Sequence, residues 1–286
     1  EWVQNNILNS LQVFLDVPIE EREYRDQNTK KIFVSRDFNE NDYDLPNNSD
    51  LVVNNFGDIS PTETAKKIVA LYVNHRQVSL DRSRTKHWGN YYSKNVVPNK
   101  PSSFAKDVLK HMKKEKYILE IGCGNGRDSR FFASNGFRVD AIDRSKDAIN
   151  LCRSTSDSIN YKAVDIGTNT KFIASNRYDY IYCRFVIHAM PLEEEIELIK
   201  NTFKALKKGG MLFIECRSIN DPLSRKGDII SSNERSYGHY RRFIVLEELQ
   251  DNLIKHGYKI KSILEENNVS KHGDDNPVVI RCLTYK

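Results

Sequence analysis

Leu119-Glu120-Ile121-Gly122-Cys123-Gly124-Asn125-Gly126-Arg127-Asp128 is the stretch that decides the fold. An apolar run ends beside an acid, and three glycines then alternate with other residues before a charged pair. Such glycines let the backbone turn tightly from a strand into a helix and let a ligand approach the main chain closely. A dinucleotide-binding turn would read GxGxxG; here Arg127 holds the sixth position, and Glu120 stands two residues before the first glycine. By themselves the glycines are also compatible with a plain strand-to-helix turn.

Outward from this loop, strands alternate with helices, the pattern of a parallel sheet covered on both faces. Strands are expected at 117–121, 138–142, 159–164, 178–183 and 210–216, with helices at about 127–135, 145–153, 192–206 and 246–256. The chain ends with Tyr258–Glu265 and Pro277–Tyr285 around a polar loop, read as an antiparallel hairpin that closes the sheet edge. Upstream, apolar runs at 11–16 and 51–54 read as strands. A helix follows from Ser60 as N-cap, with Pro61 at its first position, Glu63 completing a capping box, and Ala65, Ile68, Val69 and Tyr72 at helical spacing. The expected organisation is therefore a small N-terminal α/β fragment at 1–80, a connector at 81–115 with a basic-ended helix at 102–114, and the main α/β domain at 116–286.

Composition narrows the class. The chain has 286 residues, 39% hydrophobic and 29% charged, which excludes fibrous, low-complexity and integral membrane proteins. No apolar run nears the ~20 residues that span a bilayer, and no signal peptide is recognisable. Forty-four Lys and Arg against thirty-nine Asp and Glu leave a charge of +5. This suits a small anionic partner but is too small and dispersed for nucleic acid. The five cysteines are spread singly, with no CxxC pair, so neither zinc nor a disulfide framework is expected, and a reducing cytoplasm is the expected compartment. Nothing in the sequence specifies an oligomer. The chain begins at Glu1 and not at a methionine, and is expected to be an excerpt of something longer.

Spacing then supplies chemistry. The second main-domain strand ends in Asp140-Ala-Ile-Asp143, where a carboxylate at the tip can accept both ribose hydroxyls of an adenosine. The third ends in Val164-Asp165-Ile166, where Asp165 can accept an adenine amino group and Ile166 can cover the ring. The fourth, Tyr178–Phe185, opens onto Val186-Ile-His188-Ala-Met-Pro191, and the turn Leu206-Lys-Lys-Gly209-Gly210 leads into the fifth.

Together these segments, over roughly 88–286, resemble the class I S-adenosylmethionine-dependent methyltransferases. The resemblance implies a Rossmann-like, seven-stranded, mostly parallel sheet with a reversed C-terminal hairpin, and S-adenosyl-L-methionine as cofactor, leaving S-adenosyl-L-homocysteine. It implies a cofactor site of Trp88, Tyr92, Glu120, Gly122, Gly124, Gly126, Arg127, Asp128, Asp143, Arg144, Asp165, Ile166 and Arg184. Trp88 and Tyr91-Tyr92 look like the lid segment of small-molecule members, although Trp88 could equally be an aromatic packed on the sheet. His188 and Arg184 are the candidates for the methyl-transfer face, with His188 either a base or a residue that orders its loop. The acceptor would lie against Tyr237, His239, Tyr240, Arg241 and Arg242, since arginine forks suit phosphate or carboxylate. Arg184, Arg217 and Arg235 are expected to converge on the same mouth. The competing reading is a solvated basic loop. Where enzymes that methylate DNA amino groups carry NPPY, this chain has Cys183-Arg184-Phe185-Val186, which argues against nucleic acid.

Residues 10–75 carry a second resemblance, to the C-terminal half of adenylylsulfate-kinase-type P-loop kinases. It rests on Val13-Phe-Leu-Asp16-Val-Pro18-Ile-Glu20, Tyr24-Arg25-Asp26, Asp42-Tyr-Asp44-Leu-Pro46, Asp50-Leu-Val-Val53 and Ile59-Ser-Pro-Thr-Glu63. No GxxxxGK[ST] loop is present, so the fragment cannot be an active kinase alone, and the upstream remainder of a kinase domain is the expected partner. A kinase joined to a methyltransferase implies methylation of a phosphorylated or nucleotide-linked precursor in bacterial capsule or O-antigen synthesis. Two alternatives stay open: a detoxifying methyltransferase for thiols or metalloids, and a non-catalytic module that binds the cofactor and regulates its neighbour.

Overall fold

The computed structural model describes residues 13–18, 20–22, 24, 51–54, 60–94, 98–155, 158–166 and 174–286. Part of the kinase-like signature, namely Ile19, Arg25, Asp26, Asp42 to Pro46, Asp50 and Ile59, lies outside the described residues, as do residues 11–12 of the first expected strand. The chain divides into two units, Glu1–Arg82 and Ser83–Lys286.

In the first unit, β1 (Val13–Asp16) and β2 (Leu51–Asn54) pair in parallel, Val13 opposite Leu51. Helix α1 (Pro61–Lys94) starts there. Its capping box forms in both directions: the Ser60 backbone N–H donates to Glu63 Oε2 at 3.3 Å, and the Glu63 N–H donates to Ser60 Oγ at 3.2 Å. The sequence reading ends this element too soon. The expected connector from 81 is helical as far as Lys94, and Arg84, Trp88 and Tyr92 are spaced i, i+4, i+8 on it.

The second unit holds α2 (Ser103–Leu109), β3 (Tyr117–Ile121), α3 (Arg127–Ser134), β4 (Arg138–Asp143), α4 (Lys146–Arg153), β5 (Asn160–Ala163) and β6 (Tyr178–Arg184). A short 3₁₀ turn (Ile187–Ala189), α5 (Leu192–Ala205) and β7 (Leu206–Arg217) follow. Then come β8 (Asp228–Ile229), β9 (Glu234–Tyr237), β10 (His239–Arg242), α6 (Leu246–Lys255), β11 (Lys259–Glu266) and β12 (Val279–Tyr285). Helix α2 is shorter than the expected 102–114 and takes Ser102 as its N-cap, the hydroxyl accepting from the Ala105 N–H at 3.0 Å.

The main sheet has seven strands in the order β11-β12-β7-β6-β3-β4-β5. β5, β4, β3, β6 and β7 run parallel, while β12 is antiparallel to β7 and β11 to β12. The expected α/β fold with its reversed hairpin is thus what forms. Strand order reverses at β3, with β4 on one side and β6 on the other. The crevice at the carboxyl ends there is where open α/β sheets bind ligands.

Period-2 alternation fills both faces. Ile181 and Cys183 of β6 join one core cluster with Leu119, Leu212 and Ile214; Tyr180 and Tyr182 join the other with Ile118, Phe132 and Phe213. The basic stretch around Tyr237 to Arg242, read as a loop, belongs instead to a three-stranded antiparallel sheet, β10-β9-β8. Its Arg-rich, Tyr-rich strands lack the apolar alternation by which the others were read.

Phe132 is fully buried, with ring centroids 5.1 Å from Tyr182 and 6.2 Å from Phe137. Phe132→Ala leaves a cavity there and should cost about 3–5 kcal/mol, lowering Tm by roughly 6–20 °C in a domain of this size. Thermal unfolding followed by circular dichroism checks this; an unchanged Tm would contradict the packing described.

Candidate active site

The carboxyl ends of β3, β4, β6 and β7 open into one cavity of 520 Å³, within the usual range for small-ligand sites. At its floor the loop after β3 takes left-handed conformations at Gly122 (φ 72°) and Gly124 (φ 55°). A Cβ at Gly124 would collide with the Tyr92 hydroxyl, and one at Gly122 with the Val186 side chain. The loop therefore needs glycine twice over, for its backbone and for the residues pressed against it.

Asp143 at the tip of β4 holds this loop in place. Its Oδ2 accepts the Gly124 N–H at 2.8 Å and its Oδ1 the Ser145 N–H at 2.8 Å. Burial pushes its carboxyl up, and the two backbone N–H bonds pull it back. A carboxylate has about four lone-pair sites, so two stay free for hydroxyl donors. Asp165 lies beyond β5 and pairs with Arg144 at 3.0 Å. Ile166, Ile142 and Val164 supply apolar wall beside these acids. Trp88 and Tyr92 come from α1, their rings stacked with centroids 6.3 Å apart, and both line the cavity.

Other expected residues are present with their groups already occupied. Burial, and Asp128 beside it, push Glu120 well above the usual carboxylate range; it accepts a short hydrogen bond from Ser129 Oγ. Asp128 accepts from the Ser102 N–H and hydroxyl, each at 2.7 Å, and from the Tyr182 hydroxyl at 3.0 Å, which fixes α2 to the sheet. Arg184 lines the cavity, but its guanidinium donates to Glu215 Oε1 at 2.7 Å and to Ser270 Oγ at 2.9 Å. Its charge is spent on Glu215. Gly126 does not line the cavity: it sits behind the loop, against Tyr161 and Cys152.

The far end of the cavity is cationic. Alternation along β10 divides the expected acceptor residues. His239 and Arg241 line the cavity with Tyr237, whereas Tyr240 and Arg242 point away from it, which corrects the expectation for those two. The Tyr240 hydroxyl donates to Glu234 at 2.7 Å, and Arg242 is buried against Glu195 and the Met190 carbonyl. Arg235 also falls away from the mouth, donating to the carbonyls of Ser231 and Glu234. Arg217 does reach the cavity, paired with Asp221 at 2.8 Å and, more closely, with Asp275. Arg241 forms no ion pair among the described residues and donates to the Tyr237 carbonyl at 2.7 Å. Burial, with Arg217 nearby, pushes the Arg241 guanidinium down to about 10.

Four imidazoles line the cavity, those of His87, His188, His239 and His272. His87 stacks on His239 with centroids 3.8 Å apart, a pairing across long sequence separation that no local pattern signals. Burial, with Arg241 and His87 beside it, pushes His239 down to about 3. His188 is buried and held well below its ordinary value by desolvation and by Arg217. Its Nδ1 accepts the Arg217 backbone N–H at 3.3 Å, which assigns the proton of the neutral ring to Nε2. In that form His188 presents a donor and not a base. Asp275 and His272, from the loop between β11 and β12, line the cavity too, and the sequence reading had passed over them as a polar loop.

Residues 97–263 match the family described as "Methyltransferase domain". The chain belongs to that family. The domain is of the S-adenosylmethionine-dependent kind, and its cofactor is S-adenosylmethionine. Among curated relatives it is 33% identical over 104 residues to the "Ubiquinone biosynthesis O-methyltransferase" of Coxiella burnetii, covering 35% of this chain and 43% of that one. It is 29% identical over 173 residues to "O-methyltransferase 3" of Dictyostelium discoideum, covering 54% and 39%. The chain thus spans less than half the length of these curated relatives. Among solved structures, an S-adenosylmethionine-dependent methyltransferase from Mesorhizobium loti superposes with a TM-score of 0.53 at 15% identity, over 65% of this chain and 98% of that one; at that identity it speaks for the fold.

The methyltransferase-domain cavity fits its cofactor by its own chemistry: a glycine cradle that admits no Cβ, acids at two strand tips, and apolar wall between them. Asp143→Ala removes both a strand-tip carboxylate of the cavity and the anchor of Gly124. It should weaken S-adenosylhomocysteine binding by at least about tenfold, read by isothermal titration, with Tm measured alongside to separate binding from unfolding.

The buried imidazoles give a pH dependence of fixed sign. His188 and His239 have folded-state values below the unfolded ~6.5, so the unfolded chain binds more protons in acid. Stability is therefore complete above about pH 6.5 and falls as pH drops below it. Denaturant unfolding at pH 7.5 and 5.5 should show the loss, and His239→Gln should flatten it; equal stability at both pH values would contradict the neutral, buried imidazoles.

Proposed function

We propose that the whole protein transfers a methyl group from S-adenosylmethionine to an oxygen of a small anionic acceptor. The acceptor class that suits the site is a phosphorylated or nucleotide-linked precursor, of the kind made for bacterial capsule or O-antigen. The observation that carries this reading is Arg241: a half-buried guanidinium in the cavity wall with no carboxylate partner among the described residues. Arg217 stands beside it, already paired with Asp221 and Asp275. Desolvating a cation without a counter-charge is costly, and an anionic acceptor is the natural counter-charge. That curated relatives are named O-methyltransferases supports oxygen as the atom methylated.

The donor, when bound, supplies an already activated methyl on a sulfonium. The chain's own residues have the task of holding two reactants in line and excluding water. Asp143, Asp165, Ile166 and the glycine loop would hold the donor, with Trp88 and Tyr92 covering it. Arg241 and Arg217 would turn the acceptor's anionic group toward the methyl. His188, proton on Nε2, would donate a hydrogen bond to an acceptor oxygen. A phosphate oxygen is already an anion at neutral pH and needs no base, so a histidine that cannot take a proton there suits such an acceptor.

The kinase-like reading of residues 10–75 belongs to the same proposal: the acceptor is phosphorylated by a kinase domain upstream in the same polypeptide and then methylated. The parallel pairing of β1 and β2 and the reciprocal cap at Ser60 support a parallel α/β ending of this type. A reducing cytoplasm is proposed as the setting, since the five cysteines are spread singly.

Arg241→Ala should raise KM for phosphorylated or nucleotide-linked acceptors at least about tenfold and leave S-adenosylhomocysteine affinity within about twofold. The assay is S-adenosylhomocysteine release across a panel of anionic and neutral acceptors. Turnover confined to neutral hydroxyl or thiol acceptors, indifferent to Arg241→Ala, would sink the anionic reading.

A further inference from the structure

A second cavity, of 400 Å³, adjoins the first and shares Pro98, Arg127, Arg184, Ser270 and His272 with it, so a single ligand can run from one into the other. Its charge is one-sided. Lys100, Arg127, Arg184 and Lys271 line it, and no Asp or Glu does. Arg184 is neutralised by Glu215. Lys100 and Lys271 form no ion pair among the described residues. Arg127 pairs loosely with Asp128, at 3.9 Å, and Asp128 already accepts three hydrogen bonds from Ser102 and Tyr182. Lys100 and Lys271 therefore face the groove without an ion pair among the described residues, beside an Arg127 that is only loosely paired.

The walls are fixed before any ligand arrives. On one side the Pro98 carbonyl accepts from Asn125 Nδ2 at 2.9 Å, which ties the strap before α2 to the glycine loop. On the other, Arg281 donates to the Val269 carbonyl at 3.2 Å and Arg184 to Ser270 Oγ at 2.9 Å. The Ser103 hydroxyl closes the far end with a short bond to the Val269 carbonyl. A solvated basic face would not need walls pinned at both sides to the core; a preorganised groove is what lowers the ordering cost of binding.

We propose that this groove is a second anion subsite, which holds a diphosphate group of the acceptor between Arg127, Lys100 and Lys271 while the reacting end lies in the main cavity. The inference rests on the methyl-transfer reading above and deepens it, since a nucleoside-diphosphate-linked acceptor carries such a group some distance from the atom to be methylated. Two flexible lysines as point charges and one guanidinium fork suit a diphosphate, whose charge is spread over several oxygens. A carboxylate also occurs on the methionine tail of the donor, so the same cations could instead serve the cofactor, and the test must separate the two.

The test uses the whole chain, inorganic pyrophosphate and S-adenosylhomocysteine as probes, and isothermal titration at low salt. Lys100→Ala/Lys271→Ala alters only exposed side chains and leaves the glycine loop untouched. The expected result is pyrophosphate binding to the wild type, weakened at least about tenfold in the double variant, with S-adenosylhomocysteine affinity within about twofold of wild type. Unchanged pyrophosphate affinity in the double variant, or no binding to the wild type, would overturn the subsite. A loss of S-adenosylhomocysteine affinity in place of pyrophosphate affinity would also overturn it, assigning the groove to the cofactor's carboxylate. Arg241→Ala reports separately on the main cavity: if it raises the acceptor KM while the double variant still binds pyrophosphate, the subsite fails and the proposed reaction stands. If the double variant loses pyrophosphate while Arg241→Ala leaves KM unchanged, the subsite stands and the main anion contact fails.

Discussion

A carboxylate with no access to water holds the catalytic half of this molecule together. Glu215 on β7 is fully buried, and its two oxygens are taken by guanidiniums from the strands on either side: Arg184 of β6 at 2.7 Å and Arg281 of β12 at 2.7 Å. Burying one such charge alone costs several kcal/mol, so neither arginine can leave without the other becoming more strongly required. The seam where the parallel sheet meets the antiparallel hairpin is thereby fixed by charge as well as by the ladder. The remaining donors extend the same reference outward. Arg184 reaches Ser270, and Arg281 reaches Val269, Ser103 and Asp107, so the β11–β12 loop and the start of α2 are both located by one buried acid. Those are the walls of the two cavities.

The main cavity is polarised along its length. Asp143 and Asp165, the latter paired with Arg144, stand at strand tips, while Arg241 and an Arg217 paired with Asp221 and Asp275 line another part of the wall. On the proposed reading, a donor bearing a positive sulfonium and an acceptor bearing negative charge would be drawn to different parts of the cavity, the acceptor supplying the counter-charge that Arg241 lacks among the described residues. Arg217 is the hinge of this arrangement. Its side chain is neutralised by Asp221 and Asp275, while its backbone N–H sets the tautomer of His188. Beside it, Arg241 has no ion pair among the described residues and faces the side where the acceptor is proposed to bind.

Much of this was legible in the sequence, and the reason is local. The main-domain strands are short apolar runs between turn residues, and the acids that matter sit at their ends, where chain direction alone puts them on one edge. Asp143 and Asp165 could thus be placed from spacing. The residues beyond reach are those whose partners come from elsewhere in the chain. Nothing near His87 announces His239, and nothing near Arg217 announces Asp275. Arg242 and Arg241 look alike in composition, yet one is buried against Glu195 and the other faces the cavity. That difference is set by strand alternation, and it becomes readable only once 239–242 is recognised as a strand rather than a loop. The far end of helix α1 was missed in the opposite way: the helix was read from Ser60, but Trp88 and Tyr92 were assigned to a connector and lid segment, although the i, i+4, i+8 spacing of Arg84, Trp88 and Tyr92 continues the helix to Lys94.

The unpaired Arg241 is informative because the fold had the means to neutralise it. Asp221 and Asp275 lie close enough to favour its charged form, yet both bind Arg217, and Arg241 is left with a backbone carbonyl. A guanidinium pushed down to about 10 by burial and a neighbouring arginine is destabilised in the free protein. An anionic acceptor, as proposed, would remove that cost, and in the free protein it is a small, local loss of stability of the kind binding sites retain. A surface arginine would have no such strain, and one buried for structure would resemble Arg242, matched to an acid. Arg241 is neither, and its side of β10 is the side that faces the cavity.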